Sequence, residues 1–244
     1  LYGRYRKLER GIPQTRWPCR ACKGRDGGCD SCSGSGLQYP DSVQDLIGEP
    51  LRRIFNAADT SFHGMGREDI DVRCLGSGRP FVMELKSPLK RVADHSELVR
   101  LVNDEAGGRV EVLDLRASKR PEVARIKQTA AEKSYTLRFS YDGELDVDEV
   151  EQKVLSLVGE TINQTTPQRV SHRRADKVRR RQVISIKDVI VEPPEVQLCA
   201  RVESGTYVKE LIHSDEGRTT PSVTERLGVV CEVLWLDVEE VHAD

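Results

Sequence analysis

Apolar residues return along this chain at two spacings. Val43, Leu46, Ile47, Leu51, Ile54 and Phe55 recur every three or four positions behind Asp41 or Ser42, either of which suits an N-cap. That pattern predicts an amphipathic helix of about four turns. A loop with two glycines is expected from Ala58 to Arg67, followed by two strand-like runs, 70–75 and 80–86. Gly76-Ser77-Gly78-Arg79 lies between these runs and reads as a hairpin turn. A helix over 96–103, a strand over 109–116 and a helix opened by Pro121 come next. A strand at 134–141 precedes a helix at 147–158, where Val147, Val150, Val154, Leu155 and Val158 share a face. Strands are expected at 182–192, 195–203 and 229–240, with a short helix from Tyr207 to His213. Helices mixed with hairpin-like neighbouring strands predict an α+β fold on a central mixed, mostly antiparallel sheet, and argue against a doubly wound parallel one.

Residues 1–40 break the pattern. They are rich in Gly, Cys and basic residues, poor in aliphatics, and are not expected to build an ordinary core. The expected organisation is a small cysteine knuckle with a basic segment at 1–40 and a larger domain at 41–244. The chain begins at Leu1 in mid-pattern, which predicts that an N-terminal portion is missing.

Those first forty residues contain Cys19-x-x-Cys22 and Cys29-x-x-Cys32, six residues apart. Each pair can place two thiolates on one tight turn, and the surrounding glycines let the backbone close around an ion. Four thiolates in a tetrahedron suit Zn²⁺ in a structural role, with no open position for catalysis. Two disulfides or an iron–sulfur cluster are the alternatives, the former disfavoured in a reducing compartment. Cys74, Cys199 and Cys231 fall in predicted strands and read as small buried hydrophobes.

Of the 244 residues 37% are hydrophobic and 32% charged. No run approaches the roughly 20 apolar residues of a membrane span, and residues 1–12 lack the apolar core of a signal peptide. The expected compartment is the cytosol. The formal charge of -2 says little, but its distribution says more. Basic residues crowd 1–25 and 169–181, including Arg169, Arg173 and Arg174, and acidic ones gather at 142–151 and 237–244. A phosphate backbone responds to a local patch, so the pattern points to RNA.

Candidate chemistry sits at Gly66-Arg67-Glu68-Asp69-Ile70-Asp71-Val72-Arg73, three carboxylates and two guanidiniums ahead of a strand. Taken alone it reads as a surface ion-pair cluster. Further stretches change that: GRPFVMEL at 78–85, QTTPQRVSHRRADKVR at 164–179, SGTYVKELIHSDEGRTTPS at 204–222 and LWLDVEEV at 234–241. In this order they resemble the archaeal tRNA pseudouridine synthase family acting on T-loop uridines 54 and 55. The resemblance covers nearly the whole chain.

It implies a pseudouridine synthase fold and an isomerase needing no organic cofactor. By motif position, Asp69 is the nucleophile, Lys209 the cation beside it and Tyr135 the ring that stacks on the flipped uracil. Val208 and Leu236 match apolar pocket positions, Arg67 helps hold the nucleotide, and Arg169, Arg173 and Arg174 grip phosphates. Asp71 is the nearest rival for Asp69, and Tyr141 and Tyr207 for Tyr135. The implied partner is the tRNA T-arm, with no membrane and no obligatory protein partner. The family's usual additional N-terminal RNA-binding domain is lacking from this sequence. A non-catalytic zinc-containing RNA-binding module and a thiol redox protein are the competing readings.

Overall fold

A computed structural model describes residues 1–25 and 27–243, with the side chain of Arg173 outside the described set. These residues form two compact units, Leu1–Thr129 and Ala130–Asp244.

The first unit opens with a strand, β1 (Tyr2–Lys7), which the hydrophobic pattern did not predict. A long cysteine-bearing loop leads to α1 (Val43–Ile54). Then come β2 (Asp59–Gly64), β3 (Arg73–Lys86), α2 (His95–Ala106), β4 (Val110–Arg116) and α3 (Arg120–Gln128). The strands lie in the order β4-β1-β3-β2, each pair antiparallel. Ser42, not Asp41, caps α1: its hydroxyl accepts from the Asp45 amide at 3.1 Å. Helices α1 and α2 lay Ile47, Leu51, Leu98 and Val102 against Tyr5, Phe81, Met83 and Val112, all with essentially no exposure. So the expectation that residues 1–40 stay out of an ordinary core fails for β1, whose alternate residues Gly3, Tyr5 and Lys7 are buried.

The predicted hairpin is also corrected. Residues 70–75 and 80–86 do not pair with each other, because β3 runs continuously from Arg73 to Lys86. Lys7 faces Cys74 and Tyr5 faces Arg79, so four residues of β3 bulge out opposite one of β1. Gly76 and Gly78 take positive φ there (56° and 77°). The glycines absorb the excess chain without reversing it, because β1 offers a partner on both sides of the bulge. The expected loop at 58–67 contains β2, paired from Asp59 to Gly64 with Lys86 to Phe81.

The second unit holds β5 (Glu132–Tyr141), α4 (Val147–Leu155), β6 (Thr161–Thr165), β7 (Val178–Glu192) and β8 (Glu195–Val202). It ends with α5 (Val208–His213), β9 (Thr219–Thr220), α6 (Val223–Leu227) and β10 (Cys231–His242). Its strands follow the order β10-β5-β8-β7-β6-β9, again antiparallel. Alternation along β8 puts Val196, Leu198, Ala200 and Val202 inside, with Leu137 and Phe139 of β5 also buried. Helix α5 packs on β10, and α4 on β7. The α+β class read from the pattern is the one observed. No helix among the described residues is long and apolar enough to cross a membrane.

Candidate active site

In the first unit, the loop from Met65 to Asp71 leads into β3 and is gripped through its main chain. Arg79 donates to the Met65 carbonyl (2.9 Å) and Gln14 to that of Gly66 (3.1 Å). Lys7 donates its ammonium to the carbonyls of Asp69 (3.0 Å), Ile70 (3.2 Å) and Ile12 (2.8 Å). Arg10 takes the Asp71 carbonyl at 2.7 Å. Beside Asp69, Glu68 turns inward and is buried. Its carboxylate accepts from the Tyr5 hydroxyl (2.9 Å) and the Arg79 guanidinium (2.8 Å), both also buried. Gln14 completes the set by donating to Tyr5 at 2.8 Å.

Burial raises the Tyr5 hydroxyl well above its ordinary pKa, with the Glu68 carboxylate adding to it, so Tyr5 stays a donor. Burial lowers Lys7, and Glu68 pulls the other way. Asp69 itself stays half-buried, with Asp71 and Arg67 exposed on either side. A carboxylate at position 69 is thus held by its backbone while its side chain keeps access to the surface.

The cysteines of the same unit converge. The Sγ atoms of Cys19, Cys22, Cys29 and Cys32 all lie within 4.8 Å of one another. Cys19–Cys29 and Cys22–Cys32 are 3.9 Å apart, and Cys29–Cys32 3.8 Å. Zn–S bonds of about 2.3 Å in a tetrahedron require sulfur edges of about 3.8 Å. Disulfide sulfurs bond at about 2.05 Å, and all four thiols are free. The amides of Cys29 and Gly36 each donate to Cys32 Sγ at 3.2 Å. The Cys29 amide leads in holding the Cys32 thiol down to about 6, against burial. Cys22 is pushed up to about 11: the Gly24 amide pulls it down, but burial and the other three thiols outweigh that. Four sulfurs competing for negative charge fit a cation at their centre, so the cluster could hold a metal ion. Gly28 passes so close to Gly34 that an added Cβ would meet its backbone at 2.4 Å. The loop closes only with glycine there.

In the second unit, Tyr135 on β5 faces Val238 of β10 and Ala200 of β8, and Leu236 faces Leu137. Tyr135 and Leu137 share a strand face, so Tyr135 and Leu236 are neighbours across it. Helix α5 carries Val208 (buried), Lys209 (half-buried) and Glu210 (1% exposed), and packs on β10. The fold therefore collects Tyr135, Leu236, Val208 and Lys209 on touching elements. Of the basic run, Arg169 pairs with the buried Glu210 (2.6 Å), and Arg174 donates to the Tyr207 hydroxyl (3.2 Å). Arg179 donates to Thr166 Oγ1 at 2.8 Å. The Arg173 side chain lies outside the described residues.

A family model described as "Pus10, C-terminal" matches residues 1–242. The chain belongs to the Pus10 C-terminal family. It is similar to proteins named tRNA pseudouridine synthase Pus10. That of Methanothrix thermoacetophila is 46% identical over 241 residues, covering 99% of this chain and 53% of the relative. That of Methanothermobacter marburgensis is 47% identical over 244 residues, covering 99% and 59%. The chain spans about half the length of the curated relatives it matches. Among solved structures, a Cbf5-Nop10-Gar1 complex resembles it with a TM-score of 0.49 and 20% identity, over 82% of this chain and 45% of that one.

Membership in the Pus10 C-terminal family bears out the resemblance read from the motifs. What the sequence did not supply is the buried set beneath Asp69. Tyr5, Lys7, Gln14, Glu68 and Arg79 carry no spacing signal, and four of the five are polar or charged types ordinarily placed on a surface.

Proposed function

We propose that this chain carries the catalytic part of a tRNA pseudouridine synthase, isomerising uridine to pseudouridine in the T-loop at position 54, position 55 or both. The reaction breaks the uracil N1–C1′ bond, turns the base and joins C5 to C1′. The C5 proton is lost and N1 gains one, so nothing is oxidised or reduced. Asp69 supplies the carboxylate at C1′, as nucleophile or as the charge facing positive character there. Lys209 is assigned the part of the active-site cation, as the family motif implies. Tyr135 stacks on the flipped base in a pocket walled by Val208 and Leu236. Arg67 steadies the nucleotide, and Arg169, Arg173 and Arg174 meet phosphates.

The observation that carries this reading is the grip on the 65–71 loop. Five side chains bind its carbonyls or the Glu68 carboxylate, and Asp69 alone of its two central carboxylates is left half open. A surface ion-pair cluster needs no such foundation.

We assign Zn²⁺ to the four cysteines as a structural ion, which Cys19, Cys22, Cys29 and Cys32 would hold. When bound it supplies folding energy to the loop, not chemistry. The cytosol we assign to the chain would keep those thiols reduced. The chemistry belongs to 41–244, and the cysteine loop within 1–40 presents its basic residues to RNA.

The test is an unmodified tRNA transcript incubated with the wild-type chain and with Asp69→Asn, pseudouridine being mapped by carbodiimide primer extension. T-loop stops with wild type only, at equal binding, are expected. Tight binding with no stop from either protein would instead favour a non-catalytic zinc-containing RNA-binding module.

A further inference from the structure

An open groove of about 1170 Å³ lies in the first unit between α3, β3 and the segment after β3. Its floor is apolar, with Phe55, Val82, Leu85 and Val123 among its lining. Its rim is basic. Lys90 and Arg91 stand on one side, and Lys119, Arg120 and Lys127 of α3 and its N-terminal flank on the other. All five are exposed.

None of the five makes a side-chain hydrogen bond or an ion pair among the described residues. That is unlike the cations nearby. Arg116, ahead of the same helix, and Arg125, within it, both pair with Glu122, Lys86 pairs with Asp59, and Arg53 with Glu105. The single acid lining the groove, Glu84, sits against His63 at 3.2 Å. A surface that pairs the cations around this groove but leaves five uncompensated along it concentrates positive potential there.

The groove exceeds the roughly 300–1,000 Å³ of small-molecule clefts. Arg120 and Lys127 are separated by about 10 Å along α3, so the charge forms a line and not a point. A line of cations fits a polyanion better than a single phosphate or carboxylate.

We infer that this groove binds the sugar–phosphate backbone of the RNA substrate, as a contact surface additional to the basic run of the second unit. The inference rests on the reading of the chain as a tRNA-modifying enzyme. RNA is favoured over an acidic peptide because the similar proteins are named for tRNA. It is also favoured because exposed, unpaired side chains track a flexible phosphate chain without reading sequence.

The test compares three forms of the 244-residue chain: wild type, Lys90→Gln/Arg91→Gln/Lys119→Gln/Arg120→Gln/Lys127→Gln, and a charge-keeping form exchanging Lys and Arg at the same five positions. Binding of a tRNA transcript is measured from 0.05 to 0.3 M salt, with a polyglutamate peptide as a second probe, and far-ultraviolet circular dichroism confirms folding. Each single-strand phosphate contact contributes about 0.7 to the slope of log affinity against log salt. The neutral form is expected to bind tRNA about tenfold or more weakly at 0.15 M, with a slope shallower by about 2. The charge-keeping form should retain both. Unchanged tRNA affinity and slope in the neutral form, with wild type active, overturn the groove alone. So does loss confined to polyglutamate binding. A wild-type chain that neither binds nor modifies tRNA overturns the enzyme reading, and the groove with it.

Discussion

The ammonium of Lys7 donates to the main-chain carbonyl of Asp69 at 3.0 Å, although Lys7 is fully buried and lies 62 residues earlier in the chain. A buried lysine is costly, and this one is retained where it can satisfy three carbonyls at once. Lys7→Met removes the donor and leaves those carbonyls unmatched. Urea denaturation should show a loss of about 2–4 kcal/mol. Pseudouridine formation should fall further than the folded fraction does, since the loop beneath Asp69 loses its anchor. Stability equal to wild type would sink this account of the loop.

Removing Arg169 separates two uses of a cation. Its guanidinium meets Glu210, whose side chain is almost wholly buried. Arg169→Ala should lower stability by about 2 kcal/mol, because an unpaired buried carboxylate remains, and Glu210→Gln on top should recover part of it. A residue that only grips phosphate would leave thermal unfolding unchanged and alter only the salt dependence of RNA binding.

The cysteine loop predicts a stoichiometry. The purified chain should carry one metal ion, measured by plasma emission, and Cys29→Ser should carry none. A strong chelator should release about four additional reactive thiols, because ligating sulfurs are protected until the ion leaves. Cys74 should stay unlabelled in the native protein even then, since burial pushes its thiol up to about 12.

A pH effect follows from Glu122. Hydrogen bonding to Arg116 leads in lowering its carboxyl from 4.5 to about 2, with Ser118 and Arg125 helping against burial. The folded pKa is depressed, so the stabilisation is fully present above 4.5 and is lost as pH falls through about 2. Exposure of Arg116 keeps it to about 1 kcal/mol or less. Unfolding midpoints between pH 2.5 and 5 should rise with pH more steeply in wild type than in Glu122→Gln.

The sequence disclosed whatever had a period or a fixed spacing. Helix α1 was visible through six apolar positions behind Asp41 and Ser42, either of which could cap it, and α4, β5 and β8 through theirs. The two CxxC pairs predicted the sulfur cluster because four residues on two turns leave little choice. What stayed hidden depended on partners far along the chain. Gly76 and Gly78 carry a hairpin signal, and only the presence of β1 turns it into a bulge. Strand β1 alternates Tyr, Arg and Lys, and nothing local says that Tyr5 and Lys7 face inward. Asp69 was singled out by motif alone, whereas Glu68 looked like one more surface charge until Tyr5 and Arg79 closed on it. The cations of the groove were visible as letters, and their lack of partners was not.

The placement of β1 also bears on how the chain is made. Its six residues are satisfied on one edge by residues 74–82 and on the other by 110–116. They precede both neighbouring strands in the chain, yet the slot they fill exists only after the fourth strand has emerged. The cysteine loop, by contrast, has all four sulfurs within fourteen residues and can close almost as soon as it is synthesised. Seating β1 between β3 and β4 therefore waits on strands made after it. That step involves contacts between distant parts of the chain, which are slow to form, and it also seats Lys7 beneath Asp69.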